Sequence, residues 1–410
     1  MTVALGPLAL DAYLPAFPNI ADNLGIAHSD VGLTLSAYVA SLGLAQLLGG
    51  PLSDRYGRRP ILFGGLAIFT GAAVMISLAT TLSDMVLWRV IQGIGGAFCA
   101  VSVPAIVRDQ VGGQDAARLF GLIGLIMFIA PAAAPSLGSL MLVLGDWHDI
   151  FLLLAGYAVL LALALHLALF PRLKPRPPAA TPVRTLVTNY GLVLRHTTTM
   201  RFVGIQALCF STMLLFITHS SFIYQEWFGL SNGMFSLLFA ANIAVMAIMN
   251  LINRPLLGKF SSVVLLRVQV LMQCAALIAL VTVVLLGGPF WLVAACIIAA
   301  IGCLGAIIPN NMANALEFFP HLGGTAAALL GASQFTIAGG ISALSSIYGG
   351  DALLPITVSM LACSAGAVIL AVGAPPGGEP TNFLTEATLK KERAEWKRLS
   401  EETGGSSVLH

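Results

Sequence analysis

Residues 151–170 read FLLLAGYAVLLALALHLALF, a run without a single charged side chain and apolar on every face a helix could present. A barrel strand would alternate apolar and polar residues over segments of about ten, and it would not stay apolar on both sides. About 20 residues of helix span the hydrocarbon core of a bilayer, so this run predicts a membrane-crossing helix. Working outward, this run is one of twelve of the same character closed by Pro, Gly or charged punctuation: 2–21, 30–53, 60–80, 83–107, 115–144, 149–170 with the run just quoted inside it, then 199–225, 231–253, 262–286, 289–315, 324–348 and 352–373. The whole chain agrees with them. Of its 410 residues 58% are hydrophobic and 9% charged, with mean hydropathy +0.91, where a soluble domain carries about a quarter charged residues. A water-soluble globular protein is excluded, and little length is left for a soluble catalytic domain. The predicted fold class is an all-α membrane protein of twelve transmembrane helices.

The longest connection, PRLKPRPPAATPVRTLVTNYGLVLRHTTTMR, is proline-rich and basic and divides the runs six and six. It predicts an N-terminal half over 1–171, a connecting loop over 172–198, a C-terminal half over 199–374 and a polar tail over 375–410. Charge supports the count. Of the 20 Lys and Arg, all but Arg89 fall in the tail, the central loop or the loops after the second, fourth and eighth runs, among them Arg55, Arg58, Arg59, Arg108, Arg118, Arg254 and Lys259. The opposite loops carry Asp22, Asp30, Asp84, Asp146, Asp149, Glu226 and Asp351 instead. The positive-inside rule puts both termini and the central loop in the cytoplasm. A net charge of +2 is too small to imply nucleic acid as a partner. The six cysteines lie inside apolar runs with no CxxC pair, so neither disulfides nor a metal are expected. The first run lacks a basic leader and contains Pro7, Pro15 and Pro18, so it reads as the first span and not as a cleaved signal peptide.

One loop carries the most specific local pattern. GPLSDRYGRRP (Gly50–Pro60) places Gly50 and Gly57 where close helix contact and a tight turn are needed, with Asp54 able to accept from a neighbouring helix terminus and the arginines held at the interface. WRVIQGIGGA follows with Arg89, Gln92, Gly93 and Gly96, then IAPAAAPSLGS with Pro135 and Gly138. In this order the segments resemble the loop after span two, the R-x-x-Q-G-x-G motif of span four and the G-P-x-x-G-G antiporter motif of span five in the major facilitator superfamily. Ala134 and Ser139 stand where two glycines of that last motif are expected. LDAYLPAFP (10–18), VRDQ (107–110), WHDIF (147–151) and FPHLGGTAAALLGASQ (319–334) are similar to the bicyclomycin-resistance branch of its drug/proton antiporters. The resemblance covers nearly the whole chain. It implies a major facilitator fold of two six-helix halves in a bacterial cytoplasmic membrane, working as a monomer on drug-like molecules and protons. It also implies that Asp54 meets the start of span eleven near Gly323–Thr325, while Arg58 pairs with Asp109, as a conformational gate.

Asp11 and Arg89 are the charged residues deepest inside the apolar runs, and an ion at membrane depth costs several kcal/mol unless it faces water or a partner. A carboxylate about 15 Å along the first helix, near the midplane, with a cation available to it can change protonation with conformation, so the two are assigned to proton coupling. Tyr13, Tyr38, Gln46, Gln92, Gln206, Asn242, Asn310, Asn311, Asn314 and Gln334 are scattered polar groups amid Phe and Met, and they predict a mostly apolar cavity suited to amphiphilic molecules. The competing role for each amide is to bridge helices. His166 and His219 belong to no motif and read as packing or cavity-lining residues. TLKKERAEWKRLSEE (388–402) reads as a polar, interfacial helix.

No nucleophile elbow, zinc-protease helix or phosphate-binding loop occurs, so an enzyme and an ATP-driven pump are both disfavoured, and no cofactor is implied. The function expected is export of amphiphilic drugs in exchange for protons. The alternatives are an importer or facilitator of a small metabolite on the same fold, or a polytopic enzyme or receptor.

Overall fold

The computed structural model describes residues 1–111, 113–172, 183–319, 322–348 and 352–373; the tail 375–410, with the helix expected over 388–402, lies outside them. The helices are α1 (Leu5–Asp11), α2 (Phe17–Leu24), α3 (His28–Tyr56), α4 (Arg58–Ser77), α5 (Leu82–Gln110), α6 (Gly113–Leu144), α7 (Trp147–Ala164), α8 (Val183–Arg195), α9 (Thr197–Ser221), α10 (Asn232–Leu256), α11 (Ser262–Leu285), α12 (Phe290–Gly302), α13 (Leu304–Glu317), α14 (Gly323–Tyr348) and α15 (Leu353–Val372). No strand occurs among the described residues. Eleven helical stretches are long and apolar enough to cross a membrane, with α7 extended to Leu169, α9 to Trp227, and α12 and α13 counted as one.

The twelfth segment is the first run, and it is not one helix. A 3-10 turn (Thr2–Ala4), α1, a second 3-10 turn (Leu14–Ala16) and α2 follow one another through the membrane. Pro15 and Pro18 have no N–H to give to the ladder, and their rings exclude the preceding carbonyls. The chain therefore turns at Tyr13 (φ −95°, ψ 0°), two residues after Asp11. A break at membrane depth leaves carbonyls that something else must satisfy.

A helix in the central connection was not expected. Within the loop assigned to 172–198, α8 carries Tyr190 and Val193, and Val193 joins Ala326 and Leu329 of α14 in a small apolar cluster flanked by Leu47, Met200 and Leu316. His196 then caps α9, its Nδ1 accepting from the Thr199 N–H at 3.2 Å, with its ring against Phe318 and Phe319.

α3 lies at the centre of the bundle, with α5 on one side and α14 on the other. Glycines make both approaches close: a Cβ on Gly43 would lie 2.6 Å from the Thr336 nitrogen and 2.8 Å from the Ala332 oxygen, and one on Gly339 would lie 2.7 Å from the Ala40 nitrogen. On the other face, a side chain on Gly93 of α5 would run into Ser41 and the Tyr38 carbonyl. The same device recurs after the central connection, where Gly302 and Gly305 fit against Val245 and Met246 of α10.

The molecule has a basic end, marked by Arg55, Arg58 and Arg59, and an acidic end, marked by Asp22, Asp30 and Asp84. Polar contacts between helices before and after the central connection gather toward the acidic end. Ser36 bonds Ser342 at 2.9 Å, His28 pairs with Glu226 at 2.8 Å, and Gln225 donates to the Pro15 carbonyl at 3.4 Å, while Ser342 also bonds Thr218 of α9 at 2.6 Å on its own side. Ser139 and Ser236 meet at 3.1 Å across α6 and α10. Near the basic end the ion pairs among the described residues stay within helices that precede the connection.

Candidate functional site

The break in the first segment builds the site. Without a continuing helix the Ala9 carbonyl is free, and Arg89 of α5 donates to it from Nη1 at 3.0 Å, as it does to Gln92 Oε1 at 2.8 Å. Arg89 is fully buried. Its guanidinium carbon sits 4.3 Å from the Tyr13 ring centroid and 4.6 Å from that of Tyr38, between two aromatic rings, with Phe151 at 5.8 Å. Tyr13 is fixed in turn: the Thr34 hydroxyl gives its proton to the Val31 carbonyl at 2.7 Å, so at 3.0 Å the Tyr13 hydroxyl is the donor to Thr34. Asp11 ends α1 beside this cage and is 4% exposed. Asp11 Oδ1, Arg89 Nε and Nη2, Gln92 Nε2 and Tyr38 Oη make no hydrogen bond among the described residues.

Asp11, Tyr13, Tyr38, Arg89 and Gln92 thus come together, though not in the arrangement expected. Among the described residues no ion pair joins Asp11 to Arg89, and the arginine, which the sequence left with no partner but a carboxylate, has a carbonyl, an amide and two rings. Tyr13, Tyr38 and Gln92 were expected on a cavity wall and are instead buried around the guanidinium. Asn310 and Asn314 also leave the wall. Asn310 exchanges hydrogen bonds of 2.9 Å with Asn253 and donates to Gln269 at 3.1 Å, and Asn314 accepts from Ser262 at 2.6 Å, so these amides tie α10, α11 and α13 together. Asn242 donates to its own helix at Leu238. Gln206 and Gln334 bond at 2.7 Å across α9 and α14, Asn311 donates to Gln206 at 3.0 Å, and Gln46 of α3 lies against Gly331, so this set does border the central seam. A groove of about 390 Å³ opens between α6 and α10, lined by Ser136, Ser139, Gly233, Ser236, Leu237 and Ala240, none of which belongs to the predicted set.

Pro135 lies inside α6, and a side chain on Gly138 would collide with the Ala12 carbonyl, so this glycine lets α6 lie against the break next to Asp11. Ser139, which stands where the resemblance has a glycine, supplies a link to α10. His219 bonds Ser345 at 3.1 Å, and His166 lies on the outer surface against Arg59 at 3.1 Å. Sequence reasoning missed Thr34 and the row Ser36, Thr218 and Ser342; their period along α3, α9 and α14 was visible, but not which faces meet.

On the basic rim, Gly57 (φ +94°) makes the turn between α3 and α4, and Arg58 bonds Asp109 at 2.9 Å, Asp54 at 2.5 Å and Ser53 at 3.2 Å. Asp54 has Arg58 as its partner among the described residues and does not reach Gly323–Thr325. Gly50 was assigned to close helix contact, but a Cβ there would meet nothing within 4 Å.

Three kinds of comparison agree with this architecture. The sequence model described as the Major Facilitator Superfamily matches residues 1–343. The chain is 31% identical over 340 residues to the uncharacterised MFS-type transporter YdgK of Bacillus subtilis, covering 81% of this chain and 83% of that one. It is 27% identical over 387 residues to a bicyclomycin resistance protein homolog of Haemophilus influenzae, covering 94% of each. To the multidrug resistance protein MdtL of Klebsiella pneumoniae it is 28% identical over 385 residues, covering 91% of this chain and 94% of that one. In fold it is similar to the crystal structure of a D-xylose-proton symporter, with TM-score 0.69 at 16% identity over 90% of this chain and 95% of that one. Twelve segments, the first broken and the other eleven of membrane-spanning length, together with these matches, make the chain a transporter of the Major Facilitator Superfamily.

Proposed function

We propose that the protein exports amphiphilic drug-like molecules in exchange for protons across a bacterial cytoplasmic membrane, with both termini in the cytoplasm. The observation that carries this reading is the buried pair of ionisable groups, Asp11 and Arg89, at a helix break without an ion pair between them. A structural pair would be closed, because an unpaired charge in hydrocarbon is expensive. A carboxyl whose cation is held elsewhere can be loaded and unloaded with a proton as the surroundings move. Relatives named for bicyclomycin, chloramphenicol and multidrug resistance support drugs as the cargo.

Exchange follows from alternating access. Helices over 1–171 and 199–374 act as two bodies that rock about the seam of α3, α9 and α14, so that the site faces one side at a time. Substrate and proton bias the same equilibrium from opposite directions, and uptake of one accompanies release of the other. Gln46, Gln206 and Gln334 border the seam and are the polar anchors for substrate.

The test is transport into everted membrane vesicles energised by respiration. Cationic dye uptake that collapses with a protonophore is expected from the wild-type chain, and Asp11→Asn should abolish it while leaving dye binding to purified protein intact. Wild-type rates for Asp11→Asn over pH 6 to 8 would refute the coupling role, and transport directed only into cells would favour the importer.

A further inference from the structure

We propose that Tyr13 and Tyr38 are positioning residues for proton coupling: their ring faces act as the counter-group of Arg89 and hold its guanidinium off Asp11. This rests on Asp11 being the proton carrier. The two centroids lie 4.3 and 4.6 Å from the guanidinium carbon, within the roughly 6 Å over which a ring quadrupole attracts a cation. The site is fully buried, so the attraction is not diluted by water. Nη1 is spent on Ala9 and Gln92, while Nε and Nη2 find no acceptor among the described residues although an unengaged carboxyl oxygen lies on the adjoining α1. A free guanidinium would turn its remaining donors to that oxygen; the rings oppose the move.

The surroundings contain few other groups that could take this role. Asp11 and Tyr13 come from the first segment, Tyr38 from α3, and Arg89 and Cys99 from α5, while α6 presents Gly138. α7 contributes Phe151; its nearby charged groups are engaged at its N-terminus, Asp146 with His148 at 3.0 Å and Asp149 with the Asp146 N–H at 3.0 Å. The two rings sit on different elements. Tyr38 is fixed on α3, which borders the seam, and Tyr13 sits at the break of the first segment, tied to α3 through Thr34. A movement of the break relative to α3 separates the rings, releases the guanidinium toward Asp11 and expels the proton.

The prediction separates ring electronics from ring shape. With Tyr38→Phe as the reference, difluoro- and trifluorophenylalanine at position 38 weaken the quadrupole and preserve the packing, so folding is not at issue. The pH midpoint of substrate-induced proton release in detergent should fall step by step along the series, by about one pH unit in all, because a less firmly held guanidinium competes with the proton for Asp11. Infrared titration of the Asp11 carboxyl band, identified by its loss in Asp11→Asn, should move in parallel. A midpoint indifferent to fluorination, in a protein whose Asp11→Asn variant is inactive, overturns the role of the rings and leaves the coupling role of Asp11 standing. Full transport by Asp11→Asn would instead overturn the reading on which it rests.

Discussion

Adding one methyl group to α3 at two positions seven residues apart should have opposite outcomes. Gly43 and Gly50 share a face of α3, two turns apart. A Cβ at Gly43 would lie 2.6 Å from the Thr336 nitrogen and 2.8 Å from the Ala332 oxygen, whereas at Gly50 it would meet nothing within 4 Å. Carbon contacts settle near 3.5 Å, so Gly43→Ala must part α3 from α14 by about 0.7–0.9 Å. Both neighbours are on the backbone, which cannot swing aside as a side chain can. Overpacking of this kind costs about 1–3 kcal/mol, charged here to the state in which the seam is shut. At 1.4 kcal/mol per tenfold, a cost of about 2 kcal/mol raises the parted population about thirtyfold. The assay is maleimide labelling of Ser36→Cys, a position 1% exposed on the same seam, in a background with the six native cysteines replaced. Gly43→Ala should label ten- to thirtyfold faster and transport more slowly, and Gly50→Ala should match its parent in both. Equal labelling of the two variants would refute the argument that the seam is set by glycine contacts.

Asn310→Leu orphans Asn253 and Gln269 in the amide network and should lower stability in detergent by about 1–2 kcal/mol, read as a reduced unfolding midpoint with substrate affinity unchanged. Asp54→Asn removes one partner of Arg58 on a partly exposed rim, where such pairs contribute about 1 kcal/mol at most, so transport should slow severalfold at unaltered equilibrium affinity; a changed affinity would mean that Asp54 contacts substrate. Burial against Phe318 and Phe319 lowers the pKa of His196 from its ordinary 6.5, so the neutral ring is the folded form. The associated stability is complete above pH 6.5 and is lost as pH falls below it toward the lowered value. The unfolding midpoint should therefore drop with acidification in the wild type, and the drop should shrink in His196→Asn, which can still cap α9.

The spans were legible because burial in lipid demands apolarity on every face, and composition alone records that. Pro15 and Pro18 were equally visible but were weighed only against a signal peptide, and so the break that frees the Ala9 carbonyl went unread. Asp11 and Arg89 stood out by the cost of charge in hydrocarbon, yet their separation did not, since attraction to an aromatic face leaves no charge pattern. The amides were misplaced for a related reason: Asn310 on a cavity wall and Asn310 bonded to Asn253 are the same letter, and only the rotation of α13 distinguishes them. Gly50 sits in the most specific motif and touches nothing, whereas Gly43, in no motif at all, marks a close backbone approach of α3 to α14.

The row of hydroxyls at the acidic end has a thermodynamic consequence for the cycle. Ser342 bonds both Ser36 and Thr218, with His28 and Glu226 as the one ion pair between the two sets of helices at that end among the described residues. When the seam opens toward solvent, Ser36 and Ser342 trade their mutual bond for water molecules of nearly equal worth while Thr218 keeps Ser342, and glycine and serine expose little oily surface in the process. Opening is thus a wetting transition with a shallow free-energy difference between dry and wet forms. A ligand that favours one form by only a few kcal/mol can then reverse the populations, which lets a binding pocket of modest affinity drive a large movement.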